Sequence, residues 1–103
     1  MKNEKYYDEL LSKTHTLHQL KIGFEYGLPK AQGIKPFEIR KDDRNYQVGD
    51  FVAYTVLDKF KAENETELEL VNKLETKLFQ IVYLTDYPFG IRTGYVVFAE
   101  KEV

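Results

Sequence analysis

Apolar and polar residues alternate through Thr16–Phe24, so that His18, Leu20, Ile22 and Phe24 share one face of an extended chain. This pattern predicts a strand with one side buried. Before it, Tyr6 with Leu10 and Tyr7 with Leu11 are four residues apart, Asn3 is placed to cap and Lys13 suits a C-terminal end. That spacing predicts a short helix over Asn3–Lys13. Glu25–Gln32 has room for a helical turn or two, weakened by Gly27 and Pro29 and closed by Gly33 as a C-cap. Phe37–Lys41 alternates again and predicts a short strand, followed by a turn at Asp42-Asp43-Arg44-Asn45. A tight turn at Val48-Gly49-Asp50 then leads into Phe51–Leu57, an apolar run that reads as a strand buried on both faces.

Over residues 58–74, glutamates at 63, 65, 67 and 69 would stack like charges on one face of a strand, which is unfavourable. An exposed loop leading into a helix with Leu68, Val71 and Leu74 on one face is the better reading. Thr76–Thr85 predicts a strand, Asp86–Gly94 a loop broken by Pro88, Gly90 and Gly94, and Tyr95–Glu100 a last strand. Five strands with short peripheral helices indicate a small mixed β-barrel of the α+β class. The whole of 1–103 reads as one domain, with 1–14 as a helical extension and 58–75 as an acidic insertion.

The richest stretch for chemistry is Gly33–Asp50. Lys35, Glu38 and Arg40 gather on one side of its short strand, and the alternation sends Phe37 and Ile39 to the other, toward a core. A buried face would fix the register and present the charged trio in a polar cleft.

At 103 residues the chain is long enough for one hydrophobic core, and eight Tyr with seven Phe favour a sheet-rich fold. There is no cysteine, hence no disulfide framework, thiolate metal site or thiol nucleophile, which fits a reducing cytoplasm. No apolar run reaches the roughly 18 residues of a membrane span, and the mixed-charge start reads as mature protein. A net charge of −2 argues against a strongly basic nucleic-acid binder. The distribution is uneven, however. Residues 30–44 hold Lys30, Lys35, Arg40, Lys41 and Arg44 against Glu38, Asp42 and Asp43, a balance of +2. Residues 61–75 hold five glutamates against Lys61 and Lys73, a balance of −3.

Four blocks carry a resemblance. They are His18-Gln-Leu-Lys-Ile22; Phe24–Lys41, a short helix followed by Gly-x-Lys-x-x-Glu-x-Arg; Asn45-Tyr-Gln-Val-Gly-Asp50; and Gly94-Tyr-Val-Val-Phe98. In this order they resemble the ASCH/PUA-like superfamily, and most closely its small DUF3850-type domains. The resemblance implies a PUA-like β-barrel with a cleft beside Lys35–Arg40, and RNA or nucleotide binding. Some relatives in the wider superfamily are small amidohydrolases acting on acetylated cytidine, using the Lys of Gly-x-Lys, a Thr three residues later and a distant Glu. Lys35 matches that lysine, but Glu38 occupies the threonine position and Pro36 the Thr or Ser often found after the lysine. A binding domain is therefore the first expectation and a hydrolase working through Lys35 the alternative.

In the expected cleft, Lys35 and Arg40 supply charge, with Arg40 gripping a phosphate or a base edge. Glu38 accepts from an exocyclic amine such as that of cytosine, and His18 lines the floor. Lys21 and Arg44 stand at the rim. Tyr87 and Phe89 offer stacking faces, and the loop Asp86–Gly94, with Arg92, forms the second wall. No metal or cofactor is expected; His15 and His18, three apart on a strand, face opposite sides. The acidic 61–75 segment is a candidate surface for a basic protein partner.

Overall fold

The alternation read at Thr16–Phe24 becomes β1 (Leu17–Gly23), with His18, Leu20 and Ile22 buried and the residues between them exposed. The computed structural model describes residues 14–87 and 89–103, so the helix expected over Asn3–Lys13 lies outside the described residues. Phe24, expected to end the strand, instead opens α1 (Phe24–Ala31), which is a full two turns despite Pro29 within it. The helix stops where Gly33 takes φ +78°. The Gly33 and Ile34 amides donate back to the Lys30 and Pro29 carbonyls at 3.0 and 2.9 Å, a closure that needs a left-handed residue after the cap.

The remaining strands are β2 (Phe37–Lys41), β3 (Phe51–Leu57), β4 (Phe79–Thr85) and β5 (Tyr95–Glu102). They form one five-stranded sheet in the order β1-β3-β4-β5-β2. β1 and β3 run parallel, and every other neighbouring pair is antiparallel. The sheet curls into a half-barrel, which with its two helices makes the fold the barrel-like α+β type expected. Its concave side holds the core, centred on Leu20, Val52, Tyr54, Ile81, Val96 and Phe98.

β3 is not buried on both faces as its composition suggested. Val52, Tyr54 and Val56 point into the core, while Thr55 and Leu57 face solvent, because the helices cover only the concave side. α2 (Glu65–Leu74) packs on α1 with Val71 and Leu74 buried. Asn64 caps it by accepting from the Glu67 amide at 2.9 Å, and Glu67 reaches back to the Glu63 amide at 2.9 Å. Glu75 accepts from the Val56 amide at 2.8 Å and from Lys59, fastening the helix end to β3. Among the described residues no helix is long and apolar enough to cross a membrane.

Candidate functional site

β2 is an edge strand, and the structure reverses its expected sidedness. Glu38 is 3% exposed, whereas Phe37 and Ile39 are 40% and 60% exposed. In register, Glu38 lies opposite Phe98 and Arg40 opposite Val96, so the charged parity of β2 shares the concave face with the core of β5. Burying a carboxylate costs several kcal/mol unless cations and donors surround it. Here they do.

Lys30, from the last turn of α1, has a side chain only 1% exposed and forms ion pairs with Glu100 and, at 3.1 Å, with Glu38. The same ammonium donates to the carbonyls of Lys35 and Phe37 at 3.1 and 3.3 Å. Glu100 accepts the Tyr54 hydroxyl, which lies 2.7 and 2.6 Å from its two oxygens. Burial raises the Tyr54 pKa far above that of a free phenol, and the Glu100 charge adds to the effect, so the hydroxyl remains a donor. On the other side, Glu38 Oε2 pairs with Lys35, and Oε1 accepts from Arg40 Nε at 3.0 Å and Nη2 at 2.9 Å. Burial pushes the Glu38 carboxyl up, but Lys30, Lys35 and Arg40 together outweigh it and hold the pKa below its ordinary value. The result is a ladder of alternating charge, Arg40–Glu38–Lys30–Glu100, ending on Tyr54, with Lys35 branching from Glu38.

The ladder opens onto a cleft of about 390 Å3 lined by Lys21, Ile22, Gly23, Tyr26, Lys35, Glu38, Ile39 and Arg40. One wall is the end of β1 with the start of α1; the other is β2 and the residue segment before it. These are the two edges of the sheet, so the cleft is the seam where the half-barrel does not close. Arg40 spans it by donating from Nη1 to the Lys21 carbonyl at 3.1 Å. Glu38 has its acceptor sites taken up by Lys30, Lys35 and Arg40. Lys35 and Arg40 each retain N–H donors that no group among the described residues engages. The Lys35 ammonium also lies 5.5 Å from the Phe37 ring centroid. Lys21, Lys35 and Arg40 against Glu38 leave an excess of positive charge at the seam.

Of the residues singled out from sequence, Lys21, Lys35, Glu38 and Arg40 come together in this cleft. His18, Arg44, Tyr87, Phe89 and Arg92 do not line it. Arg44 is exposed in the turn after β2. Tyr87 and Phe89 are exposed and packed on each other, with ring centroids 5.5 Å apart. Arg92 lies 5.5 Å from the Tyr95 ring and lines a separate recess with Asp42 and Asp86. The second wall therefore comes from β1 and Tyr26, not from the Asp86–Gly94 loop. Sequence reading missed Tyr26, Lys30, Tyr54 and Glu100. A signal existed for Glu100: its parity with Val96 and Phe98 places it on the core face of β5, where a charge requires a partner.

His18 belongs to a second buried polar cluster. Its Nε2 lies 2.8 Å from Asp50 Oδ2, and its ring packs 4.7 Å from that of Tyr46, which in turn contacts Phe98 at 5.1 Å. Asp50 also accepts from the Thr16 amide at 3.2 Å and the Gln47 amide at 3.0 Å. His15 precedes β1, so the strand rule does not govern it; it turns to the same aspartate, with Nδ1 3.9 Å from Oδ1. Its ring covers Gly49, at φ +96°, so closely that a Cβ there would stand 2.6 Å from His15 Cε1. The Val48-Gly49-Asp50 turn is thus gripped by the strand it faces.

No curated protein matches the chain. Residues 17–99, which run from the first residue of β1 into β5 and include His18, Lys30, Glu38 and Asp50, match the family described as "Domain of unknown function (DUF3850)", and the chain belongs to that family.

Proposed function

We propose that this domain binds RNA or a nucleotide-like ligand in the seam between β1 and β2. The observation that carries the reading is the pair Lys35 and Arg40, held in place by one ionised, buried carboxylate and keeping unused donors beside the exposed ring of Tyr26. Guanidinium and ammonium donors suit a phosphate or a base edge, and an aromatic ring suits a base. A cleft of about 390 Å3 has the size of a small-molecule site and accommodates about one nucleotide. Glu38 acts here by orienting the two cations rather than by reading the ligand itself. The order of the four sequence blocks and the five-stranded half-barrel also support kinship with the ASCH/PUA-like superfamily, whose expected activity is of this kind.

Hydrolysis of acetylated cytidine is the less well supported reading. Lys35 donates to Glu38, and a lysine acting as base or nucleophile has to lose that proton. The acidic exposed face of α2 and the loop before it is a separate candidate surface for a basic protein partner.

The test is an amide NMR titration with short single-stranded RNA pools and with cytidine derivatives, in about 0.1 M salt, where distant exposed charges are screened. The expected result is a set of shifts that includes Lys21–Tyr26 and Lys35–Arg40, with affinity falling only shallowly with salt because few phosphates are neutralised. A slope corresponding to about six or more phosphate contacts, or no shift with any of these ligands, overturns the reading.

A further inference from the structure

Lys35 lines two clefts. Besides the seam, it borders a recess of about 290 Å3, formed with Gly33, Pro36, Lys77, Phe79 and Lys101. The Gly33–Phe37 segment that carries it is a ridge held from beneath: the left-handed turn at Gly33 sets its start, and buried Lys30 donates to the Lys35 and Phe37 carbonyls. The two clefts have similar content. Each has one aromatic residue, the exposed Tyr26 in the seam and the partly buried Phe79 in the recess, together with lysines. The carboxylates bordering the recess are already engaged, Glu100 with Lys30 and Tyr54 and Glu102 with Lys77 at 3.1 Å. Lys101 has no ion-pair partner among the described residues, so the recess presents net positive charge.

We propose that the ligand is a nucleic-acid chain rather than a free nucleotide: two adjacent nucleotides straddle the ridge, one in each cleft, with the phosphodiester that joins them over Lys35. This rests on the nucleotide reading of the seam and adds a second subsite to it. Lys35 stands where the link passes and has donors left for it, while Tyr26 offers an exposed ring to one base and Phe79, partly buried with its ring 5.7 Å from that of Tyr54, gives the other an apolar contact.

The test compares a mononucleotide (cytidine 5′-monophosphate) with dinucleoside monophosphates by calorimetry and amide NMR. The dinucleotides are expected to bind at least about tenfold more tightly, the gain that one further stacked base provides. Their shifts extend to Lys77, Phe79 and Lys101, whereas those of the mononucleotide stop at the seam. Lys101→Gln, on an exposed side chain outside the core, lowers dinucleotide affinity about threefold, in keeping with one lost cation near a phosphate. Mononucleotide binding with no gain for the dinucleotide, or a gain without shifts in the recess and without an effect of Lys101→Gln, overturns the two-subsite inference and leaves the seam reading intact. Failure of both ligands to bind removes the seam reading and this inference with it.

Discussion

The two buried polar clusters of this domain use similar parts toward different ends. In the His18–Asp50 cluster, the carboxylate takes its donors from His18, Thr16 and Gln47, its neighbours are aromatic rings, and it lines no part of the cleft. In the Lys30–Glu38–Glu100 ladder, the inner end is equally closed by Tyr54, but the outer end terminates in Lys35 and Arg40, whose remaining donors face a cleft. Burial and ion pairing therefore do not by themselves identify a functional site. What separates the two clusters is whether hydrogen-bonding capacity remains where a ligand has access.

Removing the shared cation of the ladder gives the largest expected effect. Lys30→Met leaves Glu38 and Glu100 buried without their common partner, and unfolding in urea is expected to show a loss of about 3–5 kcal/mol. A loss below about 1 kcal/mol contradicts a buried, interdependent ladder. The corresponding change in the closed cluster, Asp50→Ala, strands His18 and two backbone amides and is expected to cost about 1–3 kcal/mol. Its folded fraction retains full affinity for nucleotide; a parallel loss of affinity breaks the distinction between the clusters.

Arg40→Ala sharpens the contrast from the opposite direction. Arg40 is partly exposed but supplies both donors to Oε1 of the buried Glu38, so stability is expected to fall by about 1–3 kcal/mol, less than for Lys30→Met. Ligand affinity is expected to fall by about tenfold or more, as for loss of a charge-assisted contact. The ladder also has a pH signature. Because the folded-state pKa of Glu38 is depressed, its contribution to stability is complete above its ordinary value of 4.5 and is lost as the pH falls through the lower folded value. Glu38→Gln should therefore flatten the acid limb of a stability-against-pH curve, and an unchanged limb contradicts the ionised carboxylate. The smallest effect is expected at Tyr87→Ala with Phe89→Ala, two exposed residues outside both clusters: stability within about 0.5 kcal/mol, and mononucleotide affinity unchanged.

Local pattern was enough to place most elements. The bounds of β2 and β3, the helix carrying Leu68, Val71 and Leu74, and the turn at Gly49 follow from alternation, helical spacing and backbone preference, all of which act over a few residues. The same reasoning drew Lys35, Glu38 and Arg40 together as a candidate site, and the resemblance set Lys21 at its rim. It could not decide which parity of β2 turns inward. Phe37 and Ile39 are apolar and Glu38 is charged, so local hydrophobicity favours the wrong side.

That choice belongs to the tertiary structure. Glu38 is buried because Lys30 is beneath it, and Lys30 is tolerated there because Glu100, 70 residues further along, meets it with Tyr54. A buried charge is acceptable only with its complete set of partners. Those partners come from α1, β3 and β5, and no window of sequence contains them together. The chain by itself thus determined where its strands and helices lie and which charged segment borders a cleft. Only the folded arrangement determined that the segment faces inward, that Tyr26 and the end of β1 form the opposing wall, and that His18 serves the other cluster.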